Sequence, residues 1–146
     1  MLSTPEAGWC KLTIGLWSDR CSYLNDVPMK LLKIFLSLYK DSTLHICNFD
    51  AEGWDNNIVF NKMKTKITSD KDNGYETAIN INSDTIAKEL ITDIRKDIDK
   101  WVIWDFNSED EFTDDQKDQR KQKLLDMCNE LEVYLKGNKN ESISKY

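Results

Sequence analysis

The chemistry most visible in this sequence is a run of carboxylates. Between residues 105 and 118 the chain carries seven acidic side chains and one base, Lys117. The acids are Asp105, Glu109, Asp110, Glu111, Asp114, Asp115 and Asp118. The segment has a net charge of −6, seven acids less one base, and the whole chain also has a net charge of −6, from 26 acids and 20 bases. All the excess negative charge is therefore local.

Carboxylates at close spacing could hold calcium, and the EF-hand loop is the pattern to test. If Asp105, Asn107 and Glu109 are its first ligands, Asp110 stands where the sharp turn needs glycine. Gln116 then stands where a bidentate glutamate is needed. The match fails at two positions, so no calcium site is predicted.

Two other uses of the acidic segment remain open. Acids crowd the first turn of a helix because they stabilise its positive dipole end, and a solvated connection tolerates them. Alternatively, like charges form a field that attracts and orients a basic partner. Residues 114–123 include no apolar side chain, so that face is free, and aromatic residues flank the acids. We name Trp104 and Phe112 with the seven acids as the candidate partner-binding residues, although core packing is the commoner use of such rings.

No catalytic, metal-binding or cofactor-binding residue is predicted. The chain has no Cys-x-x-Cys pair, and its one histidine, His45, lies in a predicted strand without a second imidazole for acid–base chemistry. The five glycines are isolated, so no phosphate-binding loop is present. We therefore expect a non-enzymatic protein without cofactors. An enzyme that uses carboxylates alone stays open, but nothing specifies one.

Charge and hydropathy also restrict the partners. Lys62, Lys64 and Lys66 fall on one face of a predicted strand, yet an isoelectric point near 4.8 argues against binding to nucleic acid. No window reaches the eighteen apolar residues typical of a membrane span. Four scattered cysteines and an N-terminus unlike a signal peptide favour a reducing compartment. We expect a cytoplasmic protein, a monomer or a homodimer.

The elements that position these residues follow from hydrophobic periodicity. Alternation predicts strands at Cys10–Leu16, Leu44–Phe49 and Ile58–Phe60, and a hairpin through Asn73-Gly74 between two further strands. Three-and-four spacing predicts helices from Asp26 to Lys40, from Ser83 as N-cap to Val102, and from Thr113, which forms a capping box with Gln116, to just before Gly137. The apolar face of the last helix is Leu124, Cys128, Leu131 and Leu135.

This order predicts a single α+β domain over residues 1–146. We expect an antiparallel sheet of about four to five strands, with an N-terminal helix and two C-terminal helices packed on it. The polar residues from about 138 to 146 are predicted to be a frayed tail.

Two stretches of the chain resemble small acidic bacterial immunity proteins of polymorphic-toxin and contact-dependent growth inhibition systems. The first is Trp17-Ser18-Asp19-Arg20-Cys21-Ser22-Tyr23-Leu24-Asn25-Asp26-Val27-Pro28-Met29-Lys30-Leu31-Leu32, and the second is Phe49-Asp50-Ala51-Glu52-Gly53-Trp54. The resemblance covers roughly the first 60 residues in pattern, and the size and acidity of the whole chain agree with it. No site residue is carried over from it.

The resemblance implies an inhibitor that binds a cognate toxin domain, often a basic nuclease. The acidic segment would then occupy the electropositive surface that otherwise receives phosphates. The alternative is a generic interaction adaptor or regulatory module without a toxin partner.

Overall fold

Alternating segments in the first half of the chain pair into two antiparallel sheets. The computed structural model describes residues 1–104 and 112–143, with side chains as far as residue 137. The first sheet is a hairpin of β1 (Trp9–Ile14) and β2 (Trp17–Ser22). The second has four strands in sequence order, β3 (Ile46–Asp50), β4 (Asp55–Phe60), β5 (Thr65–Ser69) and β6 (Tyr75–Ile79). Its centre is apolar because Ile58 lies opposite both Cys47 and Ile67, and all three are buried.

Four helices complete the described chain. These are α1 (Val27–Asp41), α2 (Ser83–Lys96), α3 (Ile98–Val102) and α4 (Asp114–Ile143). Helix α1 lies on β3 and β4, where the rings of Phe35 and Phe60 are 4.8 Å apart, and α4 packs across α1, α2 and α3. One core cluster contains side chains from all four helices and from both sheets. The predicted α+β class is confirmed.

The N-terminal hairpin differs from its prediction. The strand expected at Cys10–Leu16 ends at Ile14, because Gly15, with φ of 57°, and Leu16 form a two-residue turn. Strand β2 was missed. Side chains alternate along a strand, so Trp17, Asp19 and Cys21 share one side of β2, and the carboxylate of Asp19 interrupts the apolar alternation that would have marked it.

Elsewhere the strand boundaries differ from the predicted ones by a few residues. Strand β3 starts at Ile46, so His45 lies before it, exposed, and not within a strand as predicted. Strand β4 starts at Asp55 rather than at Ile58 and therefore includes the buried Asn56. Of the three lysines assigned to one strand face, only Lys66 lies in a strand. Lys62 and Lys64 belong to the turn between β4 and β5.

The hairpin at Asn73-Gly74 is confirmed, with the longer loop that was expected. A short 3-10 turn, Lys71–Asn73, joins β5 to β6. Asp72, Asn73 and Gly74 all have positive φ, which asparagine, aspartate and glycine tolerate best.

Three predictions about where helices begin and end are wrong. Asn82, not Ser83, is the N-cap of α2, and its side chain accepts a hydrogen bond from the Asp84 N–H. The helix expected to reach Val102 is two helices separated at Asp97, whose carboxylate accepts a hydrogen bond from the Thr4 hydroxyl. Helix α4 continues through Gly137 to Ile143, so the end predicted before Gly137 is wrong, and residues 138–143 of the expected tail are helical.

The start and the buried face of α4 are as predicted. The Thr113 hydroxyl accepts from the Gln116 N–H at 3.2 Å, and the Gln116 side chain accepts from the Thr113 N–H at 3.0 Å. This reciprocal pair satisfies two amide groups that a helix start leaves without partners. All four residues of the predicted apolar face, Leu124, Cys128, Leu131 and Leu135, are buried.

Candidate functional site

The described part of the acidic segment lies at the start of α4. Asp114, Asp115 and Asp118 are exposed, and none of them forms an ion pair within the part of the chain that the structure describes. The other four candidate acids, Asp105, Glu109, Asp110 and Glu111, lie outside the described residues.

The bases that follow in α4 are engaged elsewhere. Arg120 donates through both terminal nitrogens to the two carboxylate oxygens of Asp26, each at 2.8 Å, and both side chains are mostly buried. Lys121 pairs with Asp99 at 2.7 Å. That hydrogen bond raises the pKa of Lys121, and the charge of Asp118 adds to the effect. The first turns of α4 thus present three exposed carboxylates, and two of the cations that follow them, Arg120 and Lys121, are held by acids outside α4.

The two candidate aromatic residues have different surroundings. Trp104 is only 5% exposed and packs edge-on against Trp101, with ring centroids 5.3 Å apart. Its indole N–H donates to the Asn25 carbonyl at 2.8 Å. The ring therefore belongs to the core and has no surface with which to anchor a partner. Phe112 is half-buried.

A cleft that the sequence did not predict is built around Arg20. Residues on the outer side of β1 and β2 alternate with core residues, so Lys11 and Arg20 lie opposite each other on the outer side. The Arg20 guanidinium carbon is 4.6 Å from the ring centroid of Trp9 and 4.6 Å from that of Trp54. Its Nε donates to the Ala51 carbonyl at 3.2 Å. Two indoles therefore fix the guanidinium by cation–π stacking.

The turn between β3 and β4 places Trp54 beside β2. Asp50 accepts a hydrogen bond from the Glu52 N–H at 2.6 Å, and the Ala51 N–H donates to the Trp54 carbonyl at 2.9 Å. Glu52 has a φ of 54° and Gly53 a φ of 138°, and glycine is the residue type that adopts positive values most easily. This tight turn brings the indole against Asp19 and Arg20 together.

Asp19 is a buried carboxylate at the base of the cleft. One oxygen accepts from the Trp54 indole N–H at 2.7 Å and from the Asn56 amide at 2.9 Å. The other accepts from the Arg20 N–H at 2.8 Å and lies 3.8 Å from the ammonium of Lys71. Burial alone would raise the pKa of Asp19. The hydrogen bonds and the lysine outweigh it and hold that pKa below its usual value, so Asp19 is a structural anion.

The cleft is an open cavity of about 750 Å³. Its walls come from the N-terminal segment, β1, β2, Trp54 and Lys71, whose ammonium is 4.4 Å from the Trp54 ring centroid. Three bases, Lys11, Arg20 and Lys71, and two acids, Glu6 and Asp19, line it, which gives a net charge of +1. Because its members come from four separate parts of the chain, no motif spacing signalled them.

The thiols are unsuited to nucleophilic chemistry. All four cysteines are buried and free. Cys10 and Cys21 lie opposite each other in the hairpin, and the hydrogen bond between them, together with burial, raises the pKa of Cys21 strongly. Burial also raises the pKa of Cys47 to about 12 and that of Cys128 to about 11. A protonated thiol is neither a good nucleophile nor a good metal ligand.

Within residues 1–104 and 112–143, no three histidine, cysteine, aspartate or glutamate side chains are grouped so that they could hold a metal ion. Over the same residues, no helix combines the length and the apolar character that crossing a membrane requires.

Comparison of the chain with protein-family models, with curated proteins and with solved structures gives no match.

Proposed function

We propose that this chain is an immunity protein of the cytoplasm that binds and neutralises a cognate, basic toxin domain through its acidic segment. The observation that supports this most directly is the state of the charges at the start of α4. Asp114, Asp115 and Asp118 are exposed and make no ion pair with a described residue, while Arg120 and Lys121 pair with acids of other elements.

In this proposal the acids act mainly by electrostatic steering. A field of one sign raises the association rate with a charge-complementary partner by roughly 10- to 1,000-fold at low salt. At contact, the carboxylates would take the positions that substrate phosphates occupy on a basic nuclease, through charge-assisted hydrogen bonds with its arginines and lysines. The capping box fixes the helix start, so the acids of α4 are presented in one arrangement.

The runner-up is an adaptor or regulatory module without a toxin partner. Asp114 and Asp115 occupy the first turn of α4, where acids stabilise the helix whether or not a partner exists. The two functions differ in salt dependence. Steered association slows steeply as salt rises, because the Debye length falls from about 10 Å at 0.1 M to about 3 Å at 1 M.

The deciding experiment is co-expression with the product of the adjacent upstream gene, scored by growth rescue and by isolation of a complex. The test variant reverses Asp114, Asp115 and Asp118 to lysine. The matched control reverses Asp41, Asp55 and Glu130, which are also exposed and make no ion pair with a described residue. Both variants change the net charge equally.

We expect the control to protect cells and the test variant to fail. Circular dichroism must show that both remain helical, and a second test variant with asparagine at the three positions avoids placing lysines at a helix N-terminus. Full protection by both test variants would refute the assigned surface. Neither rescue nor a complex with the unaltered chain would favour the adaptor.

A further inference from the structure

We propose that the cleft around Arg20 is a second binding site, which takes a carboxylate-bearing peptide segment of a partner protein. This inference goes beyond the proposed immunity function. It concerns a surface of opposite charge, and it holds whether or not the acidic segment binds a toxin.

The guanidinium of Arg20 is already prepared for an anion. Indoles of Trp9 and Trp54 stack on it, and its Nε is used by the Ala51 carbonyl. Its two terminal nitrogens, by contrast, donate to no group in the described part of the chain, and the side chain is exposed. These nitrogens form the fork that matches the two oxygens of a carboxylate. Because stacking fixes the side chain, little rotamer freedom remains to be lost on binding.

The charges around Arg20 favour a single carboxylate. Lys11 lies opposite Arg20 in the hairpin, and Lys71 lies over the Trp54 ring. Both oxygens of Asp19 accept hydrogen bonds, from Trp54, Asn56 and a backbone N–H, so its carboxylate keeps its charge but is not directed at a ligand. The lining has a net charge of +1, from three bases and two acids, which one monoanion neutralises and a phosphate dianion exceeds.

The shape of the cleft favours a peptide over a nucleotide or a free ion. Its volume of about 750 Å³ lies within the range of roughly 300–1,000 Å³ that small-molecule pockets occupy, so there is room for residues on both sides of a carboxylate. Both indoles already have a cation over a ring face, which leaves less ring surface for stacking a nucleobase. Their half-exposed edges suit apolar side chains next to the acid.

The test is a titration followed by two-dimensional NMR of the tryptophan indole N–H groups, since the Trp54 indole N–H donates to Asp19 inside the site. Three peptides of equal length are compared. The first has one internal glutamate and blocked ends, the second replaces that glutamate by glutamine, and the third has glutamine and a free C-terminal carboxylate. Inorganic phosphate at matched ionic strength is the fourth probe.

We expect saturable shifts of the Trp9 and Trp54 resonances with a carboxylate peptide and none with the blocked glutamine peptide. The first and third peptides distinguish a side-chain carboxylate from a chain terminus, and either result supports the site. Arg20→Lys keeps the charge but loses the fork, and should weaken binding about tenfold, the order expected for one lost charge-assisted hydrogen bond. Lys71→Gln should weaken it less.

Lys66→Gln is the matched control, since Lys66 is exposed in β5, pairs with Glu76 and does not line the cleft. It should leave the titration unchanged. The absence of saturable shifts with both carboxylate peptides would overturn the proposal. So would equal binding by Arg20→Lys, Lys71→Gln and the unaltered chain, or tighter binding of phosphate than of either carboxylate peptide.

Discussion

Asp19→Asn tests whether the buried carboxylate organises the end of β2 and the turn at Trp54. Asp19 accepts three hydrogen bonds, from Trp54, Asn56 and the Arg20 N–H, and its two oxygens are fully used. An amide has only one oxygen. If that oxygen faces Trp54 and Asn56, the NH₂ group of the amide faces the Arg20 N–H and the ammonium of Lys71, which are both donors. If the amide has the opposite orientation, the Trp54 indole and the Asn56 amide lose their acceptor.

The expected cost is about 3 kcal/mol. A hydrogen bond to a charged group contributes roughly 1.5–3 kcal/mol, and a buried donor without a partner costs about 1–3 kcal/mol. One such loss is unavoidable in either orientation of the amide. For a domain of this size, about 3 kcal/mol corresponds to a fall in Tm of roughly 6–12 °C.

The assay is urea unfolding followed by tryptophan fluorescence, at neutral pH and again at low pH. Asp72→Asn is the control, because Asp72 is exposed and its φ of 51° suits asparagine. It should change the free energy of unfolding by less than about 0.5 kcal/mol.

The pH dependence gives a second, independent criterion. The pKa of Asp19 is lower in the folded chain than the value near 3.9 of an unfolded aspartate. Its carboxylate therefore contributes its full stability above about pH 4, and that contribution is lost as pH falls through the folded pKa. The difference between the unaltered chain and Asp19→Asn should shrink in acid. A loss below about 1 kcal/mol at neutral pH, or one that is constant with pH, would refute the role assigned to Asp19.

Four further predictions concern other parts of the fold. Thr113→Ala removes the N-cap of α4 and should cost about 1 kcal/mol in thermal unfolding. Gly15→Ala should cost about 1–2 kcal/mol, because φ is 57° and the new Cβ would lie 3.0 Å from an isoleucine methyl of β6. Gly137→Ala should stabilise the chain by about 0.5–1 kcal/mol, because Gly137 is helical and a new Cβ there would meet no other atom within 4 Å. Because burial raises the pKa of Cys47 to about 12 and that of Cys128 to about 11, iodoacetamide at about pH 8 should modify these thiols far more slowly in the native chain than in urea, and equal rates would contradict their burial.

Periodicity predicted the elements whose burial is regular. Helix α1, the hairpin of β5 and β6, and the apolar face of α4 all repeat at the spacing of their structure, so the fold class could be read from the sequence. Strand β2 could not, because Asp19 stands at a core position. A carboxylate there is stable only when Trp54 and Asn56 donate to it, and those residues lie more than thirty positions away.

The acidic segment and the cleft around Arg20 differ in whether the sequence alone could reveal them. Sequence-local charge is visible in a sequence, and three of the acids it singled out, Asp114, Asp115 and Asp118, are exposed as a solvated helix face requires. The cleft depends on tertiary contacts between Arg20 and two indoles from different elements, and no local pattern encodes them. Trp104 is the opposite case, because it is close to the acids in the sequence but is buried in the core.

The junction between β2 and α1 connects these two surfaces physically. Asn25 accepts a hydrogen bond from the Trp104 indole, and Asp26, next to it, binds Arg120 through two hydrogen bonds. Residues on both sides of the acidic segment are thus fastened to two consecutive residues. Asn25 also donates to the Asp50 carbonyl at the start of the turn that carries Trp54. Because one short junction holds the start of α4 and the turn that forms the cleft, Asp114, Asp115 and Asp118 of α4 and the cleft around Arg20 are both presented by packed core elements. Neither the start of α4 nor this turn has to be ordered when a partner arrives.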